Sequence, residues 1–364
     1  MTDRSPIDLD RLAHLLRQEL AGEVRFDRYS RALYSTDASL YQIEPIGVVL
    51  PRSRRDVELT IRIAADHGVP LLPRGGGTSL SGQSVGAAIV IDFSKYMNRV
   101  LEIDAERHRA RVEPGVVLDQ LNAEAARFGL QFGPDVATSD RANLGGMIGN
   151  NSAGARSIRH GKTVDHVRQL DALLADGTPL AAGPVDAEAL EAKKRIPGRE
   201  GELYRDVEGI VATHRDEIVA RYPTVLRRVS GYNLDEFVPA CKMGRYLPPS
   251  VRRLDERFPE RGWFNLARLI VGAEGTLATV TEAEVYLVAR PAERGLLVLE
   301  FDSLPHALDA VGATLACDPS AVELMDRMVL DLAERSLHYR RRLDFLAGGP
   351  EALLFVELSG DRRE

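Results

Sequence analysis

Pro73-Arg74-Gly75-Gly76-Gly77-Thr78-Ser79-Leu80-Ser81-Gly82 sets glycines and hydroxyls between two short apolar runs, at 69–72 and 87–91. Glycine lets backbone N–H groups turn inward toward an oxyanion, and Thr78, Ser79 and Ser81 add neutral donors that need no buried counter-charge. The loop reads as an anion site, with a dinucleotide pyrophosphate as the expected guest. Two other phosphate-binding patterns do not fit. The NTPase loop requires G-x-x-x-x-G-K-[ST], and no Lys follows these glycines; the Rossmann G-x-G-x-x-G opens a helix, whereas a strand-like run follows here.

The flanking sequence says where such a loop stands. Leu12, Leu15, Leu16 and Leu20 have helical spacing, and Ile46-Gly47-Val48-Val49-Leu50 is an apolar strand stopped by Pro51. Ser53 followed by Asp56 resembles a capping box. Val57, Ile61, Ala64 and Ala65 then form the buried stripe of a helix that Gly68 ends, before a strand at 69–72. Strand, crossover helix and strand predict a right-handed parallel unit, so the glycine loop leaves the carboxyl end of a strand, where open α/β sheets bind ligands.

Composition narrows the function classes. The 364 residues make room for about two or three domains. The net charge of −7 is spread along the chain without a block of one sign, which argues against nucleic acid or an anionic membrane as partner. The two cysteines, Cys241 and Cys317, are too few for a disulfide framework, a four-cysteine zinc site or an iron–sulfur cluster. With no apolar signal core at 1–6 and no apolar run of membrane length, the expected location is cytoplasmic or peripheral to the membrane.

From Val100 the pattern changes. Runs at 99–104 and 109–113 predict a hairpin ended by Pro114-Gly115, and 117–128 has helical spacing. Then come Phe132-Gly133-Pro134-Asp135 and Asn143-Leu144-Gly145-Gly146-Met147-Ile148-Gly149-Asn150-Asn151-Ser152-Ala153-Gly154. Small residues and amides of this kind suit either close approach of a flat ligand or a turn-rich segment satisfying its own backbone.

Five segments carry a resemblance: the loop at 73–82, Gly-Gly-x-Ile-x-x-Asn-x-x-Gly at 145–154, His160-Gly161-Lys162-Thr163-Val164-Asp165-His166-Val167, Leu174-Ala175-Asp176-Gly177, and Gly272-Ala273-Glu274-Gly275-Thr276-Leu277. In order and spacing they resemble the FAD-binding domain of the vanillyl-alcohol oxidase and para-cresol methylhydroxylase (PCMH) superfamily, over residues 25–360. The branch they are most similar to is that of FAD-linked D-2-hydroxyacid dehydrogenases acting on lactate, glycolate or 2-hydroxyglutarate. A sub-branch fused to an iron–sulfur segment is especially similar, through Ser230-Gly231-Tyr232-Asn233-Leu234-Asp235 and Phe264-Asn265-Leu266-Ala267-Arg268-Leu269.

The resemblance implies an α+β architecture: a PCMH-type FAD-binding domain of two α/β subdomains, at 1–98 and 99–290 with an insertion about 236–262, then part of an α+β cap domain at 291–364. It implies a chain that is an N-terminal portion, with the carboxylate-gripping arginine, the divalent-metal histidines and any iron–sulfur cysteines beyond Glu364 and the last strand short of its neighbours. It places the FAD pyrophosphate on Pro73, Arg74, Gly75, Gly76, Gly77, Thr78 and Ser79, with Gly82 and Gln83 closing the loop. Pro134, Asp135, Gly145, Gly146, Asn151, Ser152 and Gly154 would line the ribityl and ring side, with Asp135 equally able to cap a turn, and Glu274, Gly275 and Val280 would pack near the adenine or the ring. Gly77 and Thr78 stand where relatives with covalent flavin carry histidine, so the expected FAD is noncovalent.

The implied activity is oxidation of a D-2-hydroxyacid, a small-molecule partner, to the 2-oxoacid; the electron acceptor stays open, and no metal site is assigned in this chain. The alternatives are a flavin oxidase of the same fold and a non-catalytic FAD-binding module docking a C-terminal partner segment or subunit. Hydroxyacid oxidation needs a proton acceptor. His160 and His166 are the candidates near the flavin motifs, although neither has an acidic partner in sequence, and a structural role is the simpler expectation for both. Tyr339-Arg340-Arg341-Arg342 reads as a solvated helix face.

Overall fold

The computed structural model describes residues 8–360 apart from Gly244 and Ala347; the segment at 1–6 and residues 361–364 lie outside the described residues. Among the described residues no helix is long and apolar enough to cross a membrane.

Asp8 caps the first helix, α1 (Leu9–Glu19), by accepting from the Arg11 N–H at 3.0 Å. Leu12 and Leu16 are buried against Val49, Ile63 and Ile89. Strand β1 (Glu23–Arg25) runs antiparallel to β2 (Gly47–Leu50), with the short helix α2 (Arg28–Leu33) between them. Ser53 caps α3 (Arg54–Asp66) by accepting from the Asp56 N–H at 3.3 Å. The reciprocal half of the expected capping box is replaced: the Asp56 carboxylate accepts from Ala21 N–H at 3.0 Å and Arg52 N–H at 2.8 Å, tying the end of α1 to the start of α3. The buried stripe is Val57, Ile61 and Ala64, with Thr60 and Ile63 in place of the exposed Ala65. Gly68 ends the helix at φ +63°, a backbone region that glycine enters without a Cβ penalty.

The next strand, β3 (Leu71–Arg74), starts two residues later than the apolar run, because the Val69 N–H still closes the helix end on the Ala64 carbonyl at 2.8 Å. Both β2 and β3 pair parallel with β4 (Ile89–Asp92), giving the order β1-β2-β4-β3. The glycine loop therefore leaves the carboxyl end of β3 and returns to the start of β4.

The second sheet is antiparallel. Strands β5 (Val100–Asp104) and β6 (Arg109–Val112) form the expected hairpin, α4 (Leu118–Ala125) follows, and β7 (Leu130–Phe132) pairs with the end of a long later strand. After α5 (Leu144–Asn150) and α6 (Ser157–His160), β8 (Val167–Leu173) and β9 (Pro179–Ala182) turn about Gly177 at φ +80°. A two-residue pair, β10 (Pro184–Val185) with β11 (Phe264–Asn265), brackets the helical segment between them. The eleven-residue β12 (Thr279–Ala289) lies at the centre, in the order β5-β6-β12-β8-β9.

A third sheet of three antiparallel strands ends the described chain: β13 (Glu293–Phe301), β14 (Ala321–Asp326) and β15 (Ala352–Gly360), ordered β13-β15-β14. Helix Leu304–Leu315 buries Ala307 against Ala352, Leu354 and Val356. The last strand was expected to lack neighbours. Instead β15 is central and paired on both sides, because the nine-residue β13 and the six-residue β14 both take their register from it. The architecture is α+β, as expected.

Candidate functional site

A cleft of about 440 Å³ opens between the first two sheets, with the glycine loop along one wall and α5 along the other. From the loop, Pro73, Arg74, Gly75, Gly76, Gly77, Thr78, Ser79 and Gln83 line it; from the second subdomain come Gly145, Gly146, Ser152, Glu274, Gly275 and Val280. A larger cavity of about 570 Å³ shares Ile270 and Ala278 with the cleft but has no glycine-loop residue in its wall. The anion-binding backbone therefore marks the smaller one.

The remaining expected residues stand behind this lining. Gly82, at φ +84°, faces Tyr41, whose ring a Cβ would meet at 2.6 Å. Asn151 is fully buried at the C-terminus of α5 with φ +52°, a left-handed helix cap, and its Oδ1 accepts from the Val164 N–H at 3.0 Å. Pro134 and Asp135 immediately precede the lining residue Val136, and the Asp135 carboxylate accepts from the Arg156 N–H at 3.1 Å, the turn-capping role left open above. Gly154 packs so closely on Asp135 that a Cβ would stand 1.8 Å from its carbonyl oxygen.

The Arg74 side chain is held by main-chain carbonyls. Its guanidinium donates to the carbonyls of Tyr34, Thr36 and Ser84 at 3.1, 2.7 and 2.9 Å and sits over the Tyr34 ring, stapling the base of the loop. Gly76 needs its missing side chain because a Cβ would meet the Arg141 carbonyl oxygen at 2.3 Å, whereas Gly77 has φ +65° and needs glycine for its backbone. Gln83 closes the loop across the cleft: its amide donates to Glu274 at 3.3 Å and to Asn150 at 3.4 Å. Glu274 holds φ +51°, fixed by its N–H on the Gly149 carbonyl at 2.9 Å.

Asn143, at the N-cap of α5, is a lining residue that the sequence reading quoted but did not assign to the site. Its Nδ2 donates to the Gly115 carbonyl at 2.6 Å, which turns Oδ1 toward Gly75 and Gly76, buried and without a partner; the buried Oε1 of Gln83 likewise has none. Buried carbonyl oxygens without donors are costly. Two of them in one cleft fit a guest that carries hydroxyl or N–H donors beside an anion, which is the chemistry of the sugar-alcohol chain and ribose flanking a dinucleotide pyrophosphate. The signal in sequence was an Asn immediately before Leu-Gly-Gly.

Neither candidate histidine lines the cleft. His166 is fully buried, its Nε2–H donates to the His160 carbonyl at 2.6 Å, and its Nδ1 is buried without a partner, so burial lowers its pKa to about 4. His160 contacts Ser250 Oγ through Nδ1 at 2.8 Å, and burial followed by the repulsion of His166 takes it down to about 3. Both rings are buried and neutral. The triple-arginine run is a short exposed turn, Arg340–Arg342.

Residues 45–183 match the family described as FAD binding domain, and residues 290–364 match FAD linked oxidases, C-terminal domain. The chain is similar to D-2-hydroxyglutarate dehydrogenase of Pantoea ananatis, 35% identical over 357 residues, covering 96% of this chain and 33% of that protein. It is 34% identical to the enzyme of the same name in Escherichia coli K12, covering 97% of this chain and 34% of that protein. A D-lactate dehydrogenase of Archaeoglobus fulgidus is 26% identical, covering 80% of this chain and 50% of its own. The chain thus spans about a third of the length of the D-2-hydroxyglutarate dehydrogenases it matches. A solved alkyldihydroxyacetonephosphate synthase shares the fold, with TM-score 0.64 at 18% identity, over 99% of this chain and 57% of that one.

Proposed function

We propose that the chain is an FAD-linked oxidase of the vanillyl-alcohol oxidase and para-cresol methylhydroxylase type and that it holds the flavin of an enzyme oxidising D-2-hydroxyacids to 2-oxoacids, a reading supported by the matches to an FAD binding domain and to the C-terminal domain of FAD linked oxidases. The observation that carries the cofactor assignment is the pair of buried, donor-less carbonyl oxygens, Asn143 Oδ1 and Gln83 Oε1, in a cleft walled by the glycine loop. The loop at 73–79 takes the pyrophosphate through backbone N–H groups. Asn143 and Gln83 accept from hydroxyls of the flanking sugar chains, and Gly145 and Gly146 give a flat surface without side chains. Bound FAD supplies the acceptor of the hydride that leaves the carbinol carbon, while the hydroxyl proton goes to a base.

We assign that base to neither His160 nor His166, because both rings are buried and neither lines the cleft. The substrate reading rests on the names of the relatives. D-2-hydroxyglutarate is the first compound to test, followed by D-lactate and glycolate.

Purified protein should be yellow, and acid precipitation should release the flavin into the supernatant, because Gly77 and Thr78 offer no side chain for a covalent bond. Colour retained in the pellet would overturn the noncovalent assignment, and protein that takes up no FAD would overturn the cofactor reading. Reduction of bound flavin by D-2-hydroxyglutarate, followed at its visible band without oxygen, tests the substrate class: bleaching by D- but not by L-2-hydroxyacids supports it, and bleaching by the L-enantiomers alone would refute it.

A further inference from the structure

Arg156 lies four residues after Ser152, which lines the cleft, and its side chain reaches the third sheet. Nε and Nη2 donate to the two oxygens of Glu357, each at 2.7 Å. Glu357 stands on β15, the central strand of the third sheet, opposite Leu296 on β13 and Ala321 on β14. The same residue also grips Asp135, through its own N–H at 3.1 Å and Nη1 at 3.5 Å. Asp135 adjoins Val136, which lines the cleft from another segment. One guanidinium therefore joins two pieces of cleft wall to the middle of the C-terminal sheet.

The geometry makes this contact specific. A fork-to-fork arginine–carboxylate pair fixes both distance and plane, which a lysine or a single hydrogen bond does not. Both ends of the pair are half-buried, so solvent screens it less than the Arg159–Asp318 pair, whose carboxylate is exposed. The charges facing it are balanced by neighbours from each element. Arg294 on β13 donates to Gln131 on β7 at 3.1 Å and adds positive charge near Glu357, while Glu323 on β14 adds negative charge near Arg156. Removing either partner leaves the other half-buried with only its weaker neighbour, Asp135 for Arg156 or Arg294 for Glu357.

We propose that Arg156 is a positioning residue that couples the placement of the C-terminal sheet to the shape of the flavin cleft, with Glu357 and Asp135 as its two anchors. The inference rests on the reading of the cleft as the FAD site.

The test uses the full chain with FAD as probe, comparing wild type with Arg156→Ala, Glu357→Ala, the double variant and Glu357→Gln, and with Arg159→Ala as control. FAD affinity is measured by titration, and the exposure of the bound flavin by iodide quenching. The single variants are expected to bind FAD about five- to tenfold more weakly and to at least double the quenching constant, with the double variant no worse than either single one. Glu357→Gln, which keeps shape and one hydrogen bond, should fall between; it also keeps the test open if removal of the arginine prevents folding. Arg159→Ala should match wild type. Unchanged affinity and quenching in the folded variants, or effects that simply add in the double variant, would overturn the coupling. A wild type that binds no FAD would instead sink the cofactor reading.

Discussion

Acidification from pH 7.5 to 5.0 is a perturbation whose effect follows from two buried rings. His160 and His166 have folded pKa values of about 3 and about 4, against an ordinary value of 6.5. The cause is visible: protonating His166 would place an N–H at Nδ1, which is buried without an acceptor, and would set a second charge beside His160. The unfolded chain therefore binds more protons than the folded one below pH 6.5, and stability falls as pH falls. At pH 5 both folded rings are still neutral while their unfolded counterparts are mostly charged, so each contributes about 2 kcal/mol less, about 4 together. His108, partly exposed and shifted the same way by burial, adds a smaller loss of the same sign. Carboxylates with lowered values, such as Glu357, add theirs only nearer the ordinary carboxylate range. The assay is urea unfolding followed by Trp263, the single tryptophan, which lies beside the two-residue strand packed on this half of the protein. The His160→Gln/His166→Gln double variant should be less stable at pH 7.5 yet lose much less between pH 6.5 and 5. A wild-type stability that stays flat across that window, or a double variant with an undiminished slope, would refute the reasoning.

Two substitutions in the cleft have definite signs. Gly76→Val sets a side chain where a Cβ already stands 2.3 Å from the Arg141 carbonyl oxygen, so the loop must move off the second subdomain; a stability loss of about 1–3 kcal/mol and loss of FAD binding are expected, read as melting temperature and flavin-to-protein ratio. Full flavin content would mean that the loop is only a connector. Asn143→Leu removes the unpartnered acceptor and also the amide that donates to the buried Gly115 carbonyl, so apo stability should fall by about 1–3 kcal/mol while FAD binding weakens about tenfold, measured by thermal melting with and without FAD; an unchanged FAD affinity in the folded variant would mean a packing role alone.

The order of elements was legible because each rests on local chemistry. Ser53 and Gly68 bracket a helix whose apolar spacing is unmistakable, and the glycine loop could be placed at a strand end because a parallel crossover leaves no other position for it. The resemblance extended this to the cofactor, since backbone-mediated phosphate binding imprints itself as glycine spacing. What a side chain does within that frame was less legible. Asp135 and Gly154 have the composition of a ligand wall but are used against each other and against Arg156, one layer behind it. Gly76 needs the absence of a Cβ because a carbonyl sixty-five residues away approaches it.

By itself, then, the sequence determined the class of fold, the glycine-loop cofactor motif and the succession of helices and strands, all of which follow from periodicity, capping and backbone freedom within some fifteen residues. Only the tertiary structure decided that His160 and His166 are buried, that Asn143 Oδ1 lies buried without a donor beside Gly75 and Gly76, that β15 is a central strand, and that Arg156 reaches Glu357 across 201 positions of chain. Burial and the pairing of distant charges are properties of where segments meet, and no local pattern encodes which of two buried amides or histidines will face a cavity and which a wall.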